Sequence, residues 1–356
     1  MTNQYARGAF LILTQALFLW GKVQAQSSSN GTTSMGSKRN SILSYDPSKA
    51  GNTIFGVVYL ILGITYLYYI FRHKNKWALC LPIGAIASSI GFFMRLTLDP
   101  DNFELTKFAA QQLFVVVSPS AFLAFNYMLY GRFITAIDPK FGNDTKSGSK
   151  MEKSQFSFIP PLIVGRTFVI SDIVTFLIQC GAGGMQAAGN KDASLASLGD
   201  KLFLIGVSVQ GISYLVFTLL LTVAFIRLID DRKRNYPNQL QKGWTGLDKQ
   251  TLMVVSGLYF SSIFIIIRSV YRIIEFKQGY AGYLISHEIY LFILDAAPLV
   301  FAIGVWAFVW PTVLLGKIAA KTREGQQITS IDVGSSRMES STSSKSEWLS
   351  LLALME

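Results

Sequence analysis

Three arginines and four carboxylates stand in or beside the apolar stretches of this chain, and these are the side chains most able to do chemistry. A charged residue at the centre of a membrane costs about 2.5 to 3.5 kcal/mol on insertion scales, so it usually pairs with another group or binds a ligand. A cluster with both signs suits a zwitterionic or aminated head group, because no charge is left uncompensated when the site is empty. The seven residues are Arg95, Asp172, Arg268, Arg272, Glu275, Glu288 and Asp295.

Helical spacing decides which of these polar side chains can share one face of a segment. Three predicted helices carry such faces. The fourth helix has Asp172 with Gln179, and the seventh has Glu288 with Asp295. The sixth has a face of four residues: Arg268, Tyr271, Arg272 and Glu275. Gln210 adds an amide on the fifth helix. We therefore expect the arginines, the carboxylates and these amides to meet in one half of a helix bundle.

Two interpretations of this cluster remain open. In the first, it is a compensated ion-pair network that locks three helices together. In the second, it is a pocket that opens laterally or outward to receive the head group of an amphipathic molecule, while the tail stays in lipid. Under that hypothesis Asp172, Glu275, Glu288 and Asp295 receive an ammonium group. The three arginines then keep the carboxylates ionised and oriented until it arrives.

The composition places the chain in a membrane. Its 356 residues are 51% hydrophobic and 15% charged, with a mean hydropathy of +0.38, whereas soluble domains are about 25% charged. This excludes a disordered chain, a coiled coil and a nucleic-acid binder, even though the net charge is +11. Seven apolar stretches are long enough to cross a bilayer: Asn52–Phe71, Trp77–Leu98, Phe108–Tyr130, Phe158–Cys180, Leu202–Leu228, Leu252–Ile274 and Ile289–Leu315. The predicted fold is an all-α integral membrane protein with seven transmembrane helices.

The basic residues predict the orientation of these helices. With the N-terminus outside, the cytoplasmic segments hold about 19 Lys and Arg residues and the outer segments about 9, as the positive-inside rule requires. The C-terminus is then cytoplasmic. In this orientation Cys80 lies at the inner end of the second helix and Cys180 at the outer end of the fourth, so the two cannot form a disulfide. The glycine-rich run 181–184 predicts the end of the fourth helix and a loop that continues to Asp200.

The chain ends carry targeting and modification signals. Residues 1–25 resemble a signal peptide, because an apolar run of roughly 12 residues is too short to span and small residues follow it. Residues 26–51 form an extracytoplasmic segment with a glycosylation acceptor at Asn30. The membrane domain covers 52–315, and 316–356 is predicted to be a disordered, Ser-rich cytoplasmic tail. We expect a multi-pass protein of the cell membrane, delivered through the secretory pathway.

No enzyme machinery is recognisable in the sequence. It lacks a Walker motif in a sound context, the metalloprotease and esterase signatures, and Cys/His spacing for a metal. We therefore expect a protein that is not an enzyme, with no cofactor and no metal, whose energy comes from a gradient or a partner. A seven-span receptor is the main rival, although the third span ends Tyr130-Gly131-Arg132 and the seventh lacks an Asn-Pro-x-x-Tyr motif.

The polar residues and short motifs of this chain also follow a recognisable pattern. Its members are Tyr45-Asp46-Pro47, Asn52, Gly91-Phe92-Phe93-Met94-Arg95, Gln112-Leu113, Ser118-Pro119, Tyr127, Gly131-Arg132, Phe168, Asp172-Ile173, Phe176, Gln179, Gly206, Gln210, Arg268, Tyr271-Arg272, Glu275-Phe276, Gly279, Gly282, Glu288, Tyr290 and Asp295. In these residues the chain resembles the fungal lipid-translocating exporters named for resistance to aminocholesterol, the RTA-like proteins, over roughly residues 45 to 315. One departure is Ser118 before Pro119, where the family pattern has Ala.

This resemblance implies a seven-span protein that translocates or exports sphingoid long-chain bases or related amphipathic lipids and drugs, without an ATPase of its own. Members of the family are associated with sphingoid-base release, with drug and sterol-analogue resistance and, in one branch, with porphyrin uptake. Its partners would be membrane lipids and a small amphipathic substrate. The alternative is a lipid-sensing receptor or regulator of lipid asymmetry that signals through its cytoplasmic loops and tail.

Overall fold

The computed structural model describes most of the predicted membrane domain, and every regular element in the described residues is a helix. The described residues are 48–98, 105–138, 154, 156–157, 160–188, 193–235, 247–278 and 283–324. The predicted signal peptide, Asn30 and the tail beyond residue 324 lie outside them.

Seven principal helices follow one another along the chain. The first six are α1 (Lys49–His73), α2 (Cys80–Arg95), α3 (Leu105–Ile137), α4 (Pro161–Ala188), α5 (Ala193–Asn235) and α6 (Lys249–Gln278). A 3₁₀ turn at Lys76–Leu79 leads into α2, and a single turn at Tyr283–Ser286 follows α6. The seventh helix, α7, covers Glu288–Phe308, and a further helix, α8, covers residues 311–324.

The chain is a multi-pass helical membrane protein. Within the part of the chain that the structure describes, six helices are long and apolar enough to cross a membrane: α1, α2 with its 3₁₀ turn, α4, α5, α6 and α7. The third predicted span lies within α3, which has 33 residues and contains Pro119, but α3 is not one of these six. Large apolar side chains point away from the bundle along the helices, such as Ile61 and Ile212, as lipid-facing surfaces do.

The helices form a closed ring. Each helix from α1 to α6 packs on its successor, and α7 also packs on α1. Three tyrosine hydroxyls of α1 join it to α7 by donating to backbone carbonyls. Tyr59 donates to Ala296 at 2.9 Å, Tyr66 to Ile303 at 2.7 Å and Tyr69 to Ala307 at 3.1 Å. The first and last spans are therefore fixed together.

The predicted loop from Gly181 to Asp200 is wrong, because residues 181–188 belong to α4 and 193–200 to α5. Glycine did not end the helix here because a tertiary contact continues it. A Cβ added at Gly199 would lie 2.8 Å from the Ala182 carbonyl oxygen, which shows how closely the two backbones approach. The Gln186 side chain also donates to Asp200 at 2.8 Å.

The predicted seventh span, Ile289–Leu315, ends too late. The helix stops at Phe308, and Val309 adopts non-helical angles of φ −116° and ψ 81°. Pro311 explains the break, because proline has no N–H to donate and disfavours helical backbone in the residue before it. The predicted tail also begins too early, since residues 316–324 are part of α8. Both cysteines are free, as expected.

Candidate functional site

Arg272 and Asp295 form the centre of the buried polar cluster. The Arg272 Nε atom donates to Asp295 Oδ1 at 2.7 Å, and Nη2 donates to Oδ2 at 2.6 Å. This two-point contact joins α6 to α7 in the geometry that guanidinium and carboxylate groups favour. The third nitrogen of Arg272, Nη1, donates to Glu275 Oε2 at 3.0 Å on the same helix. All three residues are buried.

Arg268 is held much less firmly than Arg272. Its Nε atom lies 2.8 Å from Asp295 Oδ1, but the N–H does not point along a hydrogen bond. The Tyr271 hydroxyl completes the cluster by donating to Glu275 Oε1 at 3.3 Å. Two arginines therefore face two carboxylates, and the cluster is neutral as a unit. The predicted face of α6 is confirmed in its geometry.

A π-helical segment in α7 places Asp295. The helix begins with one α-turn at Glu288–Tyr290, widens to a π-helix over Leu291–Ala296 and returns to α-helix at Ala297–Phe308. Pro298 follows this segment and has no N–H to donate to the carbonyl of Leu294, so the regular α-helical ladder is interrupted there in any case. Such single-turn π segments occur often at functional sites.

Glu288 belongs to a separate pair at the start of α7. Its carboxylate lies 3.2 Å from Arg95 Nε of α2 and accepts the Asn52 side-chain amide of α1 at 2.9 Å. The backbone N–H of Ser48 donates to its other oxygen at 2.6 Å. Glu288 and Asp295 were predicted to share one helical face, but the π segment between them changes the register. The two acids therefore bind different helices.

Asp172 also lies apart from the arginines. Its side chain is buried at 2% exposure, and neither carboxylate oxygen has a hydrogen bond of normal geometry. The tyrosines Tyr127 of α3 and Tyr214 of α5 are its polar neighbours. The expected meeting of Asp172 with the arginine cluster is not found, because α4 packs mainly between α3 and α5.

A cavity brings the two predicted glutamines to the arginines. Gln179 donates to the Gln210 carbonyl oxygen at 3.1 Å, and Gln210 donates to Ser120 at 3.0 Å, so α4, α5 and α3 are linked. Arg268 and Arg272 line this cavity, whereas Asp295 and Glu275 lie behind them. The lining residues are Pro119, Leu123, Gln179, Phe203, Val207, Gln210, Gly211, Ile265, Arg268, Ser269, Arg272, Phe276 and Leu299.

A family comparison now identifies the chain. The model described as RTA1 like protein matches residues 81–143 and 146–318, which is well over half of the sequence. The chain belongs to the RTA1-like family. The resemblance seen in the sequence is thereby confirmed.

Characterised relatives of this RTA1-like protein come from fungi. Protein RTA1 of Saccharomyces cerevisiae is 24% identical over 81% of this chain and 90% of its own length. The lipid-translocating exporter-like protein RTA1 of Ajellomyces capsulatus is 27% identical over 63% of this chain and 66% of its length. The sphingoid long-chain base transporter RSB1 of S. cerevisiae is 26% identical over 40% of this chain and 44% of its length. No solved structure gives a significant match.

Some polar residues of this RTA1-like protein were missed as site residues from the sequence. Asn52 and Ser48 bind Glu288, and Ser120 holds Gln210. Asn52 could have been identified from the sequence, because an asparagine at the start of an apolar span is unusual. Nothing in the sequence indicates the role of Ser120. The described residues contain no group of three or more His, Cys, Asp or Glu side chains that could hold a metal ion.

Proposed function

We propose that this RTA1-like protein translocates sphingoid bases or related amphipathic lipids across the membrane, with the head group in the cavity beside Arg268. The observation that supports this most directly is the cavity itself, which lies between helices and is lined by two arginines and two amides as well as apolar side chains. Two relatives are named as a lipid-translocating exporter-like protein and a sphingoid long-chain base transporter.

The topology in this proposal has seven spans, with α3 as the third, an outer N-terminus after a cleaved signal peptide and a cytoplasmic C-terminus. The protein works in the cell membrane, to which the secretory pathway delivers it. The chain has no ATPase of its own, and the substrate moves down a gradient or with a coupling ion.

The unequal contacts of the two arginines suit a head group with an amine and hydroxyls. Arg272 makes two hydrogen bonds to Asp295, whereas Arg268 makes a single contact with it. An incoming ammonium displaces Arg268 from Asp295 while Arg272 keeps the carboxylate in place. The amides of Gln179 and Gln210 can then hydrogen-bond to the hydroxyls. Arg272 remains hydrogen-bonded to Asp295 and Glu275 throughout.

The test is lipid movement between leaflets of liposomes that contain only the purified protein. The probes are a fluorescent sphingoid base and a fluorescent phospholipid. We expect the wild type to move the sphingoid base. Arg268→Gln should slow this movement about tenfold or more, because no arginine then returns to Asp295 to release the ammonium, and a hydrogen bond to a charged group contributes about 1.5–3 kcal/mol. Arg268 is a better target than Asp295, whose replacement leaves Arg272 without its main partner.

Arg166→Gln is the matched control, because it makes the same chemical change at an exposed arginine of α4. It should leave the rate within about twofold of wild type, as surface substitutions usually do. Equal slowing in both variants would contradict the cavity as the binding site. No movement by folded wild-type protein would contradict translocation and favour the receptor-like alternative.

A further inference from the structure

Asp172 differs from the three carboxylates that are paired with arginines in the polar clusters. Glu275, Glu288 and Asp295 each lie beside an arginine side chain. Asp172 is equally buried, but neither of its carboxylate oxygens has a hydrogen bond of normal geometry. Among the described residues, the titratable groups that face it are Tyr127 of α3 and Tyr214 of α5, and no cation is among them.

The surroundings of Asp172 are aromatic. Tyr127 is fully buried, and its hydroxyl has no hydrogen bond of normal geometry either. Its ring centroid lies 4.7 Å from that of Phe217 and 5.2 Å from that of Phe168. An ionised carboxylate in such a buried site has no counter-charge among the groups that face it, which disfavours the charged form. One added proton removes the charge, and the neutral acid can then also donate a hydrogen bond to the Tyr127 hydroxyl oxygen.

Asp172 is near both the cavity and a chain of hydrogen bonds. Gln179, two turns further along the same face of α4, lines the cavity. Tyr214, a neighbour of Asp172, accepts the Asn126 amide at 2.9 Å and contacts the Ser262 hydroxyl at 3.0 Å. Asn126 also donates to Ser261 at 3.0 Å. These bonds connect Tyr214 to α6, the helix that carries the two arginines of the cavity.

We propose that Asp172 is a proton-binding site, and that proton uptake and release at its carboxylate couple lipid movement to a pH difference across the membrane. The step is the reversible reaction of one carboxylate with one proton to give the neutral acid, and no other reactant takes part. A proton suits this site better than a metal cation, because a hard cation needs several oxygen ligands and Asp172 has only tyrosine hydroxyls beside it. The coupling rests on the translocation proposed above, but the proton site itself does not.

Infrared spectroscopy of the purified protein tests the proton site without any transport. We expect a carbonyl stretching band of a protonated carboxylic acid at neutral pH, which shifts in D₂O and is lost in Asp172→Asn. Asp248→Asn is the matched control, because Asp248 is partly exposed and paired with Lys321, so its loss should leave the band intact. Tyr127→Phe should move the band in frequency. A wild type without the band, or a band that survives in Asp172→Asn, would overturn the proposal.

Proteoliposomes with an imposed pH difference then test the coupling. We expect the rate of sphingoid-base movement in wild type to change by up to about tenfold per unit of pH difference, since the proton occupancy of a site can change that much. Asp172→Asn should respond to the pH difference by less than about twofold. A wild-type rate that ignores the pH difference, or follows a sodium gradient instead, overturns the coupling and leaves translocation intact. Absence of movement in both proteins contradicts the proposed function, and the infrared band alone then decides the proton site.

Discussion

Arg272 holds α6 to α7 through two hydrogen bonds to Asp295, and its third hydrogen bond goes to Glu275 on its own helix. Its role follows from the planar guanidinium group, which presents its donors in a fixed fork that matches a carboxylate. A lysine at this position could supply the charge but not the two parallel bonds to Asp295. The neighbouring Arg268 is freer to exchange its single contact, so the two arginines have different roles although they lie one helical turn apart.

Loss of Arg272 should therefore destabilise the protein strongly. We expect Arg272→Gln to lower the free energy of unfolding by about 3–5 kcal/mol, because it leaves Asp295 and Glu275 buried without their main partner. Thermal unfolding of the purified protein in detergent measures this. The matched control is Lys321→Gln, which removes an exposed pair with Asp248 and should cost about 1 kcal/mol or less. Equal effects of the two substitutions would contradict a buried network.

The sequence predicted which polar residues of α6 share a face but not all of their partners. Arg268, Tyr271, Arg272 and Glu275 were found by spacing because α6 is a regular helix. The seven-residue spacing of Glu288 and Asp295 wrongly predicted that they share one face. Sequence periodicity assumes a regular α-helix, whereas a π segment shifts the register between them. Asp172 was assigned to the arginine cluster because it is charged and was placed in the same half of the bundle. Only the packing of α4 between α3 and α5 shows that it lies apart.

At the scale of elements, the pair α4 and α5 is longer than two membrane spans require. The 43 residues of α5 extend over about 64 Å at 1.5 Å per residue, twice the thickness of a hydrocarbon core of about 30 Å. The two helices continue together past Cys180, where their small residues allow close backbone contact. The sequence could not reveal this extension, because a glycine-rich run ends a helix unless another helix packs against it.

A side chain at Gly199 should separate these two helices. We expect Gly199→Ala to lower the free energy of unfolding by about 1–3 kcal/mol, because its Cβ would lie 2.8 Å from the backbone carbonyl of Ala182, which cannot rotate away. Gly181→Ala is the matched control on the partner helix. Its added Cβ has nothing within 4 Å, so it should be neutral or stabilise by up to about 1 kcal/mol. Unfolding in detergent compares them, and a harmless Gly199→Ala would argue against the close packing.

At the scale of the whole molecule, the helical membrane class and the family could be predicted from the sequence. Long apolar stretches between basic loops predicted the helices, since length and hydrophobicity alone decide membrane insertion. The end of α7 was placed too late because the apolar residues continue past Pro311. The prediction followed this apolar run, although the proline indicates a break in the helix. The polar residues fall into three groups: the cavity with its two arginines, the pair of Glu288 and Arg95, and Asp172 by itself. This grouping could not be predicted, because it depends on which helices pack against each other.

The orientation of the ring predicts where the chain is modified. The chain has a second glycosylation acceptor sequence, Asn143-Asp144-Thr145, in a loop predicted to be cytoplasmic. If the N-terminus lies outside, Asn30 is exposed to the glycosylation machinery and Asn143 is not. Protein from a eukaryotic host should lose mass on glycosidase treatment. Asn30→Gln should abolish that shift, and Asn143→Gln should leave it unchanged. A shift that depends on Asn143 would reverse the proposed topology.

The π segment of α7 limits how the gene for this protein can change. Each residue of an α-helix turns the chain by about 100°, so one inserted or deleted codon between Glu288 and Asp295 would turn one acid away from its partner. Either α2 or α6 would then lose its ion pair with α7. Lipid-facing positions within the segment, such as Ile293, are free to vary in identity. The number of residues between Glu288 and Asp295 should therefore be more strongly conserved among related proteins than the identity of those residues.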